Sequence, residues 1–250
     1  MSPLGYWRNA DTKDRKGISE IRHICGLYRL WDKLHERFPH LLIDNCASGG
    51  RRIDIETLRR SIPLWRSDAQ CPANYSPEIA QNHNLAYNGW IPYSGTGSGR
   101  LYDEYCVRSS YATALTTNYS FSLTETFCDT EEKTGFLKKY MSGYLQIRPY
   151  LSENFYPLTD ITDNPDTWCA MQFHNPQTGA GIVQIFRRET APYETARFTL
   201  NEINPYAFYQ ITDFDGVEFS HSGKDLIKNG FCVTIKERRK AKIYLYEPQS

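Results

Sequence analysis

No stretch of this chain approaches the length and apolarity of a membrane span, and no charged n-region with an apolar run opens it. Neither charge sign is in excess. Lys plus Arg and Asp plus Glu stand at 29 each, so no global field recruits nucleic acid or an anionic membrane surface. Cysteine is present but unorganised. Cys25, Cys46, Cys71, Cys106, Cys128, Cys169 and Cys232 are odd in number, with no CxxC pair and no Cys/His cluster at metal-ligand spacing. That pattern implies neither a disulfide framework nor a metal site, and a reducing cytoplasm is the simplest expectation. No two histidines stand at ligand spacing either. His23 and His83 fall on predicted helices and read as satisfied structural residues rather than ligands or bases. The sequon Asn118-Tyr119-Ser120 has no secretory signal to give it meaning.

Aromatic residues, by contrast, are plentiful: they make up 14%, and tyrosine supplies 18 of them. Such richness suits a carbohydrate-stacking surface, although tyrosines more often simply pack β-sandwiches. At 250 residues the chain is long enough for one large domain or two modest ones.

Two characters divide it. Residues 1–16 are polar, without periodicity, and read as a loop. From Ile18, apolar residues recur at Ile21, Ile24, Tyr28, Trp31, Leu34 and Phe38, a helical face ended by Pro39. A strand at 41–45, a helix at about 51–60 and a strand at 62–67 follow. Pro77 starts a helix through Ala86, and Asn88 to Tyr93 reads as a third strand. A helix from about Tyr102 to Leu115, a fourth strand around Tyr119 to Leu123, and a helix from Glu131 to Tyr150 complete the alternation. Strand and helix in turn predict a βα barrel or an open parallel sheet. After Tyr156-Pro157 come TWCAMQF, GIVQIFR, ARFTL, AFYQITDF, GFCVTI and AKIYLYE, six short β-type runs separated by turn signals. They predict an antiparallel β-sandwich, with a boundary between 153 and 166.

The most informative stretch is LLIDNCASGGRRIDIETLRRSIPLWRSD, Leu41 to Asp68. Two apolar strand candidates each end in polar residues, and Ser48-Gly49-Gly50 provides a sharp turn between them. Polar residues just past the C-terminal ends of βα-barrel strands line the active-site mouth, which places Cys46 and Asp68 on one face.

The wording DNCASGGRRID followed by WRSD resembles the α-galactosidases of glycoside hydrolase family 36. GLYRLWDKLHERFPHLLID and YLQIRPYLSENFYPLT extend the likeness over nearly the whole chain. The resemblance implies an α/β plus β fold: strands 5–8 of a TIM-type (β/α)8 barrel over 1–155, then a C-terminal antiparallel β-sandwich domain over 156–250. It implies retaining hydrolysis of terminal α-galactosides without metal or organic cofactor, on an α-galactoside oligosaccharide. Asp68 would be the acid/base, where a turn cap is the plainer role for an aspartate. Cys46 and Gly49 would line the sugar pocket, although a buried cysteine also packs. Trp65 would stack on a sugar face or fill the barrel wall. Arg52 and Asp54 match family positions, with an internal pair holding the turn as the expected role.

Departures are visible too. Asp44 stands where the family has Glu, and Arg51 replaces a common glycine. GTGSG at 95–99 differs from the family's glycine-histidine region; it lacks the spacing of a phosphate loop and reads as flexible. Retaining glycosidases need a second carboxylate as nucleophile. The family's lies in a Lys/Arg-x-Asp strand end that residues 1–16 do not contain, and Asp11 and Asp14 are poor substitutes. The expectation is a chain starting just after that strand. It would be weak or inactive alone, and would associate with a missing N-terminal half or form a homo-oligomer. Galactosyl transfer, a non-catalytic carbohydrate-binding remnant and a split-enzyme subunit are the alternatives.

Overall fold

The structure is a computed structural model that describes residues 3–72, 75–97, 102–116 and 130–249. It begins with a helix where a loop is expected: α1, Leu4–Ala10. None of its residues is buried, so no apolar period marks it in the sequence. The Asp11 carboxylate ties it down by accepting from the amides of Gly17 (2.5 Å) and Ser19 (2.9 Å). The predicted helix follows as α2, Ile18–Arg37, but only Trp31 of its apolar stripe is buried. Ile21 stays 58% exposed.

Four short chain segments then lie side by side in sequence order. Asp44 forms a parallel bridge with Ile62, the amide of Asn45 donates to Ile62 O, and that of Ile62 to Ile43 O, both at 2.9 Å. Between them sit Asp54 and α3, Ile55–Leu58. Helix α4, Pro77–Tyr87, carries Pro at its first turn as expected. Next comes β1, Gly95–Gly97, joined to the preceding segment by Gly95 N donating to Pro63 O at 3.1 Å. After α5, Glu104–Ser109, strand β2, Ala114–Thr116, pairs with β1 in parallel. Helix α6, Glu131–Ile147, closes this part. Parallel neighbours joined by helical crossovers are the pattern the alternation predicts.

Two assignments are displaced. The third strand is not at 88–93, because the chain turns there, with Trp90 N and Ile91 N both donating to Tyr87 O. It is at Gly95–Gly97, inside the stretch read as flexible, and all three residues are buried. A Cβ on Gly95 would stand 2.1 Å from Leu64 O, so glycine is what lets the two backbones meet. Likewise, the helix expected over 102–115 stops at Ser109, and its end forms β2. The fourth strand expected at 119–123, the Asn118 sequon and Cys128 lie outside the described residues.

The remainder is antiparallel. Its strands are β3 (Asn154–Pro157), β4 (Trp168–His174), β5 (Gly181–Arg187), β6 (Thr195–Phe198), β7 (Phe208–Asp213), β8 (Glu218–Ser222), β9 (Phe231–Thr234) and β10 (Lys240–Pro248), with α7 (Gly223–Asn229) between β8 and β9. Six form one sheet in the order β3-β4-β5-β10-β7-β8, and β6 pairs with β9. All six predicted runs are strands; β3 and the half-polar β8 are additions. Alternate residues of the central strands face two cores. Met171, Ile182, Phe186 and Ile243 pack with Tyr105, Tyr140, Tyr144 and Ile147 from the helices. Val183, Ile185, Ile211 and Tyr244 pack with Phe198, Leu226, Phe231 and Val233. A sheet covered on both faces explains why β5 is buried along its whole length.

Polar clamps reinforce the first of these cores. Arg108 on α5 pairs with Glu104 (2.9 Å) and Asp215 (3.0 Å) and donates to Ala241 O. The fully buried Arg188 donates to Gln81 and Asn82 of α4 and to the carbonyls of Thr162 and Asn164. No helix among the described residues is long and apolar enough to cross a membrane.

Candidate active site

The turn from Ser48 to Gly50 is the sharpest local feature. All three residues have positive φ, 48°, 72° and 90°. A Cβ on Gly50 would lie 2.1 Å from Arg66 O, and one on Gly49 would lie 2.6 Å from the Asp68 amide nitrogen and 2.7 Å from its carboxyl carbon. Only glycine combines those backbone angles with that approach. The Ser-Gly-Gly turn therefore lies flat against Arg66–Asp68, and the two motifs legible in the sequence form one surface.

Asp68 is exposed and opens a 3-10 turn through Gln70. Ser67 caps this turn by accepting from Ala69 N at 3.1 Å. The fully buried Gln70 fixes the far end, accepting from Gly97 N at 2.9 Å and donating to Thr96 Oγ1. The Asp68 carboxylate receives the Trp65 indole N–H at 3.1 Å and faces the Cys71 thiol at 3.9 Å. Trp65, Gly49 and Asp68 thus converge. Trp65 is half-buried, and its indole N–H orients the carboxylate. Cys46 is exposed rather than packed and stands at the head of the turn. It lines a neighbouring cleft of about 770 Å³ with Trp7 and His23, and Asp68 is not among that cleft's lining residues.

The supporting polar residues take different roles from those expected. Both Asp54 oxygens accept from Thr57, at 2.9 and 2.7 Å, so Asp54 caps α3. No ion pair joins it to Arg52 among the described residues, and the expected internal pair is absent for that reason. Asp44 accepts from Leu64 N at 3.0 Å, holding the second motif's strand against the first.

Arg66 is the residue that sequence reasoning missed. It is 1% exposed, and its guanidinium donates to Ser94 Oγ (2.8 Å), Asn84 Oδ1 (2.6 Å) and Asn88 Oδ1 (3.1 Å), with the Tyr87 ring 5.7 Å away. These partners are all neutral, and burial pushes its pKa down to about 10. The available signal was Asn84 and Asn88 spaced four apart on one side of α4, facing an Arg in an otherwise apolar run. Its effect is to bolt the strand carrying Ser67-Asp68 onto α4. His83 sits close by, its Nδ1 buried without a partner among the described residues, so it is not fully satisfied as expected. Burial, with help from Arg66, pushes its pKa down to about 4 and keeps it neutral. His23 is exposed, with its ring against Trp7. Among the described residues no three His, Cys, Asp or Glu side chains gather to hold a metal ion.

Comparison with known proteins places these residues in context. The melibiase family model matches residues 5–84, which contain both motifs. Alpha-galactosidase 1 of Pediococcus pentosaceus is 27% identical over 226 residues, 87% of this chain and 30% of that protein. An alpha-galactosidase of Escherichia coli is 58% identical over 41 residues, 16% of this chain and 6% of that one. Among solved structures, the galactosidase domain of the alpha-galactosidase-sucrose kinase AgaSK superposes with a TM-score of 0.71. It has 18% identity, and the match covers 94% of this chain and 32% of that one. The chain thus spans about a third of the length of the long relatives it matches.

Proposed function

We propose a specific role for what is a relative of the family 36-like α-galactosidases: this chain carries the acid/base side of a retaining α-galactosidase site, with Asp68 as the proton donor and acceptor. The observation that carries the reading is the contact of Gly49 with Asp68, which unites the two motifs on one surface. Asp68 is exposed, oriented by the Trp65 N–H and held on a turn anchored at both ends. An acid/base needs that combination: open to a glycosidic oxygen, yet fixed in direction. Trp65 and Gly49 border the carboxylate and are read as substrate contacts. Cys46, at the head of the same turn, is read as a third.

The parallel segments at 43–45, 62–64, 95–97 and 114–116 support reading residues 1–155 as strands 5–8 of a barrel and their helices, with 156–250 as a β-sandwich domain. Retention requires a second carboxylate about 5–5.5 Å from the first. The Asp68 carboxylate takes its described hydrogen bonds from Trp65 and Cys71, and Asp11 is committed to capping Gly17 and Ser19. We assign the nucleophile to no described residue and propose that the chain by itself turns over α-galactosides weakly or not at all.

The test is to mix the chain with an N-terminal barrel half carrying the nucleophile strand and assay hydrolysis of an α-galactoside with a sugar leaving group. Activity should appear on mixing and fall by about 10²–10⁴ in Asp68→Asn. Family-typical turnover by the unmixed chain would overturn the half-site reading, and near-wild-type turnover of the mixed variant would overturn Asp68.

A further inference from the structure

Asp68 is exposed, yet the residues two places to either side of it, Arg66 and Gln70, are fully buried polar side chains. Arg66 fixes the strand that leads into the turn. Gln70 does something different. Its amide spans to the next parallel strand, where Oε1 accepts from Gly97 N at 2.9 Å and Nε2 donates to Thr96 Oγ1. Gly97 is held from its other side as well, since its carbonyl accepts from the hydroxyls of Tyr75 (2.6 Å) and Ser110 (2.7 Å). Thr96 and Gly97 close the C-terminal end of β1, the end at which a parallel-barrel strand delivers its functional groups. A buried amide costs free energy unless it is hydrogen-bonded, and an apolar side chain would fill the same space without that demand. The bonds of Gln70 thus supply direction rather than bulk.

That direction bears on Asp68. Gln70 ends the same 3-10 turn that Asp68 opens, and Cys71 N donates to Asp68 O at 3.0 Å across it. Oδ1 of the carboxylate takes both the Trp65 indole N–H (3.1 Å) and the Cys71 thiol (3.9 Å), which leaves Oδ2 to meet a glycosidic oxygen. Trp65, Asp68 and Cys71 belong to one short segment, so these bonds move with it as a unit. Gln70 ties that segment to β1. We infer that Gln70 is a positioning residue for the proton transfer, aiming the Asp68 carboxylate by holding its turn to the end of β1. This rests on the acid/base reading of Asp68. Being buried, Gln70 touches no sugar, so its loss should slow turnover without weakening binding.

Gln70→Met keeps the length of the side chain and removes both hydrogen bonds. In the 250-residue chain the Trp65 indole proton reports the direction of the carboxylate. Trp65→Phe assigns its NMR signal among the five tryptophans, and Asp68→Ala marks its position without the bond. Gln70→Met should carry the signal most of the way to that mark, and a signal left at the wild-type position would overturn the inference. Thr96→Val removes only the acceptor of Nε2 and should move the signal part of the way; it decides in the same sense if Gln70→Met does not fold. In a mixture with an N-terminal barrel half that carries a nucleophile strand, Gln70→Met should lower kcat on an α-galactoside with a sugar leaving group by about 10–10²-fold. KM should be unchanged, and a nitrophenyl α-galactoside, which needs no proton, should lose little. An equal loss on both substrates would mark a merely structural role and overturn the inference. So would a loss on the sugar in Asp68→Asn with none in Gln70→Met. If Asp68→Asn itself keeps wild-type turnover on the sugar, the acid/base reading fails, and the inference falls with it whatever the indole signal shows.

Discussion

Gly49→Ala probes the joint between the two motifs. Gly49 sits at φ 72°, and an added Cβ would lie 2.6 Å from Asp68 N, 2.7 Å from its Cγ and 2.8 Å from its Cβ. The left-handed conformation costs an alanine about 1–2 kcal/mol, and the overlap falls on backbone that Gln70 and Ser67 hold in place. A total of roughly 2–3 kcal/mol is expected, a fall in Tm of about 5–10 °C for a chain of this length. The right control is Gly26→Ala. Gly26 lies inside α2 with nothing within 4 Å of its Cβ position, so removing backbone freedom there should stabilise by up to ~1 kcal/mol. Scanning calorimetry of the three proteins gives the answer. A Gly49→Ala protein as stable as the Gly26→Ala one would refute the packed-turn account.

Three further outcomes follow from the surroundings. Arg66→Met leaves Ser94, Asn84 and Asn88 without their buried donor and should cost about 2–4 kcal/mol, read as a lower urea midpoint at constant slope. Burial opposes ionisation of Asp215, but Lys242 and Arg108 outweigh it and hold its pKa at about 2. A depressed carboxylate contributes stability that is full above its ordinary pKa and is lost as pH falls through about 4 to about 2. Asp215→Asn should flatten the stability profile in that window. His83, pushed down to about 4 from 6.5, is favoured neutral in the fold, so stability should decline as pH falls from about 6.5 to about 4. His83→Gln should remove that slope and leave the lower window intact.

Much of the fold was legible because its physical cause was local. The stripe from Ile21 to Phe38, Pro77 at the start of α4 and the six β-type runs each fix their element by period or by a single φ-restricted residue. What escaped depended on distant partners. Helix α1 buries nothing, so its seven residues carry no apolar signal. Strands β1 and β2 are three residues long and exist because Gly95 lets Leu64 O come close. At the candidate site the strand ends place Cys46 and Asp68 on one face; Gly49 and Trp65 both reach Asp68, whereas Cys46 lines a neighbouring cleft that Asp68 does not. Arg66 could be recognised as structural only once α4 had brought Asn84 and Asn88 to it.

Proton transfer at Asp68 is read out by leaving-group dependence. In a mixture with an N-terminal barrel half that carries a nucleophile strand, kcat/KM would be measured for wild type and Asp68→Asn across α-galactosides whose leaving groups range from nitrophenol to a sugar alcohol. The variant should lose little on nitrophenol, which departs without a proton, and about 10²–10⁴ on the sugar. A loss of the same size for every leaving group, or no loss on the sugar, would contradict it.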